Sequence, residues 1–118
     1  MGTKKETSNI VSATRDFVLR VIEGNDTGMI FALSKDRMIV GRSALGRVDI
    51  EMREVYAAPR HFEIYWDESM NSHSVRDLGA RNKVYINDHA LEIHATKELR
   101  LGDEIRVGNT KLIYKKAV

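Results

Sequence analysis

The chain has 118 residues, 42% hydrophobic and 31% charged, which is the size and composition of one folded domain rather than of a disordered chain. It has no cysteine, so disulfides, thiolate metal sites and cysteine nucleophiles are excluded together. A formal net charge of +2 is too small to argue for nucleic acid, and no apolar run approaches the roughly 20 residues that a membrane helix needs.

Residues 1–15 are polar, rich in Thr, Ser and Lys, and lack the apolar core of a signal peptide. They read as a flexible N-terminal tail, and a cytoplasmic protein is the expectation. From Phe17 the pattern changes. Phe17, Leu19 and Val21 alternate with Val18, Arg20 and Ile22, a two-residue period that predicts a strand. Turn formers fill residues 23–28, and the apolar run 29–33 completes a hairpin. Further short runs follow at 37–40, 48–52, 61–66, 74–78, 84–86, 104–107 and 111–114, most of them separated by Gly, Asn, Asp or Ser. Such spacing predicts an all-β sandwich or barrel. One stretch, residues 90–101, also fits a helix, because Leu91, Ala95 and Leu99 recur every four residues. Pro59, the only proline, is expected in a loop, since inside a central strand it would forfeit a ladder hydrogen bond.

Three clusters carry more than periodicity. Gly41-Arg42 closes one strand, and Asp49-Ile50 and then His61 follow. Asp77-Leu78-Gly79-Ala80-Arg81-Asn82 ends another strand and precedes Val84-Tyr85-Ile86-Asn87. Leu101-Gly102-Asp103-Glu104-Ile105 precedes Val107-Gly108-Asn109-Thr110. In order and spacing these resemble the forkhead-associated (FHA) family: a Gly-Arg pair, a Ser-x-x-His loop, an Asp-Leu-Gly-Ser-Thr-Asn-Gly loop, an Asn-Gly hairpin, and Gly-Asp before the last strands. The resemblance implies an FHA/SMAD-like β-sandwich of about eleven strands over residues 16–116, with phosphothreonine-peptide-binding loops at one end. The periodic runs alone resolve nine strands.

By resemblance, Arg42 contacts phosphate, a role suited to a guanidinium that grips an anion through two parallel hydrogen bonds. Asn82 matches the asparagine that holds the bound peptide's main chain, its amide offering both a donor and an acceptor. Ser43, Arg60, Arg81, Lys83 and Tyr56 are the further candidate contacts, Tyr56 in the loop that touches neighbouring peptide side chains. Gly41, His61, Asp77 and Gly79 are expected to support the loops. The four histidines lack metal-ligand spacing, and no nucleophile–base pair or nucleotide-type glycine loop is present, so neither metal, cofactor nor enzymatic activity is expected.

The sequence also departs from the family. The serine of the Ser-x-x-His loop falls on Ala58, which has no hydroxyl, and its neighbour is Pro59, which has no N–H. Ala80-Arg81 stands where the family has Ser-Thr, and Lys83 where it has Gly. Either the phosphate site is degraded and the domain assembles with partners independently of phosphate, or Arg81 and Lys83 replace the lost neutral donors with charge and form, with Arg42 and Arg60, a more cationic pocket. The second is the favoured expectation. It makes the domain a regulatory phosphothreonine reader of a larger signalling protein. Its partner would be a protein phosphorylated by a Ser/Thr kinase, or its own tail through Thr3, Thr7 or Thr14. No nucleic-acid or membrane partner is expected, since Trp66 is followed by Asp67 and Glu68 and basic and aromatic residues do not interleave.

Overall fold

The computed structural model describes residues 16–43 and 47–117. Among these, eleven strands form and no helix. They are β1 (Phe17–Glu23), β2 (Ile30–Ala32), β3 (Arg37–Gly41), β4 (Ile50–Glu51), β5 (Phe62–Asp67), β6 (Ser72–Asp77), β7 (Tyr85–Ile86), β8 (His89–Ala90), β9 (Thr96–Glu98), β10 (Glu104–Val107) and β11 (Thr110–Lys116). The two strands that periodicity did not resolve, β8 and β9, are too short to show a period. The helix that fits residues 90–101 does not form. Thr96–Glu98 pairs with β6 instead, and Leu91 and Leu99 are buried from two separate short segments.

One sheet runs β2-β1-β11-β10-β7-β8 and the other β4-β3-β5-β6-β9. All pairings are antiparallel except β3 with β4. Alternation decides what fills the space between the sheets. Leu19 and Val21 of β1, Ile105 and Val107 of β10, and Leu112 and Tyr114 of β11 meet Met38 and Val40 of β3, Phe62 and Ile64 of β5, and Val75 of β6 in one core. Each large side chain buried there contributes about 1.5–3 kcal/mol. Between Val21 and Glu23 the register against β11 shifts, so Ile22 is an extra residue. The bulge turns the chain into the segment that leads to β2.

Four rings close one end of the core. Phe17 stacks on Tyr114 with centroids 5.3 Å apart, and His73 meets Phe17, Trp66 and Tyr114 edge-on. Trp66 is thus spent on packing. The Tyr114 hydroxyl accepts the His73 main-chain N–H at 3.3 Å and lies 2.7 Å from His73 Nδ1, to which it donates when the ring proton is on Nε2.

Burial pushes the His73 imidazole down from 6.5 to about 4. The unfolded chain therefore takes up a proton that the folded chain refuses between those values. Stability is complete above pH 6.5 and falls as pH drops to about 4, by up to about 1.4 kcal/mol per pH unit. His61, also lowered by burial, acts in the same direction. Melting temperatures measured from pH 7.5 to 4.5 are expected to fall steadily, and less steeply in His73→Gln. An equally steep fall in that variant would show that His73 is not the group responsible.

Candidate functional site

The site begins where β3 ends. A Cβ on Gly41 would overlap the Pro59 carbonyl and come within 2.9 Å of the Ala58 oxygen. Only glycine lets the segment between β4 and β5 lie against the strand this closely. That approach places Arg42, whose N–H donates to the Ala58 carbonyl at 2.9 Å and whose Nε donates to the Ala57 carbonyl at 2.9 Å. The side chain is anchored at Nε, which leaves the two terminal nitrogens of the guanidinium for a ligand.

The segment between β6 and β7 supplies the opposite wall. Asn82 Nδ2 donates to the Tyr56 carbonyl at 2.9 Å, tying the two segments together. Arg42, Val55, Tyr56, Ala57, Ala58, Arg81 and Asn82 line an open cavity of about 510 Å3. Two guanidiniums and no carboxylate face this space, and neither arginine forms an ion pair with a described residue. The arrangement can hold a multiply charged anion, with an amide beside it for a polar main chain.

The family model described as the cytoplasmic domain of an inner membrane component of T3SS matches residues 20–117. Solved structures of FHA domains superimpose on this one over most of its length. The FHA domain of an Arabidopsis thaliana hypothetical protein superimposes with a TM-score of 0.78 at 23% identity, over 90% of this chain and 89% of that one. The FHA domain of the CT664 protein from Chlamydia trachomatis gives 0.75 at 24% identity, over 86% and 98%. The FHA domain of FhaA, solved with the intracellular domain of Rv3910, gives 0.70 at 23% identity, over 84% and 99%. No curated protein sequence matches the chain. The chain belongs to the matched family, and its fold is that of an FHA domain.

Within this FHA domain the supporting residues are buried behind the cavity. His61 is fully buried. Its Nδ1 accepts the Ala58 N–H at 2.9 Å, and its carbonyl accepts the Leu78 N–H at 3.2 Å, so one residue bridges both loops. Burial pushes its imidazole below the ordinary value, against smaller opposing effects of the Asn82 main chain and the Asp77 charge. The neutral ring keeps Nδ1 as an acceptor. Asp77 Oδ2 accepts the Gly79 N–H at 2.8 Å and lies 3.4 Å from the His94 N–H, tying down the start of the Asn82 loop. Gly79 has φ +82, a left-handed conformation that favours glycine, and a Cβ there would sit 3.0 Å from His94 Nε2.

Three candidates lie off the described wall of the cavity. Lys83 reaches Glu92 at 3.5 Å, Arg60 Nη1 donates to the Arg47 carbonyl at 3.3 Å, and the Ser43 N–H donates to the Pro59 carbonyl at 3.3 Å. Thr3, Thr7 and Thr14 lie outside the described residues. Val55 and Ala57 line the cavity without having been singled out in the sequence. Ala57 contributes a carbonyl, which any residue has, and only the exposed Val55 beside Tyr56 offered a faint signal.

Gly41→Ala is expected to destabilise the domain by about 1–3 kcal/mol through overpacking, and to displace Arg42. A denaturation midpoint equal to that of the parent would mean that the contact with Pro59 relaxes freely.

Proposed function

We propose that this domain recognises a phosphorylated side chain of a protein partner in the cavity between Arg42 and Asn82, with phosphothreonine as the ligand. The observation that carries this reading is the convergence of Arg42, Arg81 and Asn82 on one carboxylate-free cavity. Arg42 grips the phosphate through its terminal nitrogens. Arg81 adds the second charge, and Asn82 meets the peptide main chain. The main-chain donors of the nearby loop contribute little: the N–H groups of Tyr56, Ala57 and Ala58 are taken up within the protein, and Pro59 has none. Charge from Arg81 therefore replaces the missing hydroxyl at position 58. Such a domain acts as a regulatory module whose occupancy a Ser/Thr kinase controls, on the cytoplasmic side of a membrane component as the family description has it.

A second reading, phosphate-independent assembly with another protein, is favoured by Ala58, which has no hydroxyl where the family has serine, and by its neighbour Pro59, which has no N–H.

A library of phosphothreonine, phosphoserine and unphosphorylated peptides separates the two. Phosphopeptides are expected to bind and their dephosphorylated forms not to. Arg42→Ala should weaken binding by about 10- to 150-fold, the loss of a charge-assisted bond of about 1.5–3 kcal/mol. Partner binding that survives both phosphatase and the Arg42→Ala change would establish assembly instead. Binding to the domain's own tail requires that removal of residues 1–15 alter partner affinity after kinase treatment; equal affinity with and without them removes that idea.

A further inference from the structure

Glu54 is only 4% exposed, yet it takes part in no ion pair among the described residues. A carboxylate in that position is tolerated only if hydrogen-bond donors surround it. It has three, from two distant parts of the chain. Oε1 accepts the Thr110 hydroxyl at 2.7 Å and the Asn109 N–H at 3.2 Å, and Oε2 accepts the Tyr56 N–H at 3.2 Å. The turn from β10 to β11 is pressed against the same group. Gly108 has φ +57, and a Cβ there would lie 2.5 Å from Glu54 Oε2 and 2.8 Å from the Tyr56 Cβ.

Tyr56 is consequently held on both sides, its N–H by Glu54 and its carbonyl by Asn82, and the next carbonyl, of Ala57, carries Arg42. We propose that Glu54 is a positioning residue of the cavity. It locks the wall formed by residues 55–57 to the β10–β11 turn and thereby sets where the Arg42 guanidinium rests. Glu54 does not touch the ligand. The inference rests on the phosphopeptide reading only for its effect on affinity.

Glu54→Gln tests it. If the amide oxygen stays on Asn109 and Thr110, the NH2 group faces the Tyr56 N–H and that one bond is lost. Hydrogen exchange followed by NMR in the free domain is expected to show the Tyr56 amide exchanging about tenfold faster or more, with the Ile64 amide in the core unchanged. Affinity for a phosphothreonine peptide should fall by about tenfold, measured well below the melting temperature. A merely stabilising residue would lower the melting temperature and leave both readings alone. Thr110→Val, which removes the shortest of the three bonds at nearly constant volume, should move both in the same direction by less, and it carries the test should Glu54→Gln fail to fold. Unchanged Tyr56 exchange in a folded Glu54→Gln domain, or in Thr110→Val where Glu54→Gln does not fold, overturns the proposal. Absence of phosphopeptide binding by the unaltered domain counts against the cavity's assigned ligand, and the exchange rates, which need no ligand, still decide the role of Glu54.

Discussion

A segment without repetitive structure, residues 52–61, has to satisfy its buried polar groups while it lies across the end of a sandwich. Strand ladders cannot do this, so side chains do, from the segment itself and from elsewhere in the chain. Asp26 accepts the Arg53 N–H and pairs with its guanidinium, and Asn25 donates to the Arg53 carbonyl. Glu54 accepts the Tyr56 N–H, Asn82 donates to the Tyr56 carbonyl, Arg42 reaches Ala57 and Ala58, and His61 takes the Ala58 N–H. Three other stretches of sequence, around Asn25, Arg42 and Asn82, thus converge on one loop. The cavity exists because this loop has a single shape.

The same hydrogen bonds determine which ligand chemistry is left over. Where main-chain N–H groups of a loop point at a ligand, they form a neutral cradle for an anion. Here several of them are already occupied. What remains on the wall is guanidinium, amide and the exposed apolar surface of Val55 and Tyr56. Under the proposed function, a site of this composition reads charge first, and its affinity depends on ionic strength more than that of a hydroxyl-rich site would.

Anchoring is also asymmetric. The polar loop ends are tied by buried groups, whereas the flanks of the sandwich are tied by partly exposed pairs such as Lys35–Asp49 and Lys111–Glu104. Exposed pairs contribute at most about 1 kcal/mol each. Losses at Glu54, His61 or Asp77 leave buried groups unpaired and are the more damaging.

The sequence by itself determined the fold class, because a two-residue period survives wherever one face of a strand is buried, as in Phe17 to Val21 and in Leu112 and Tyr114. Ordered glycine and asparagine clusters made the family legible as well, and with it Arg42 and Asn82. The short strands β8 and β9 lay below that resolution, since two or three residues carry no period and their pairing depends on neighbours remote in the chain. Only the tertiary structure separated Arg81 from Lys83 and Arg60, three cations that look alike in sequence; Lys83 and Arg60 turn to Glu92 and to the Arg47 carbonyl, and Arg81 faces the cavity. It alone exposed the role of Glu54. A lone glutamate has no local signature, and besides the Tyr56 N–H its partners lie 55 and 56 positions away, at Asn109 and Thr110. Side-chain bonds of that range obey packing, which local pattern does not encode.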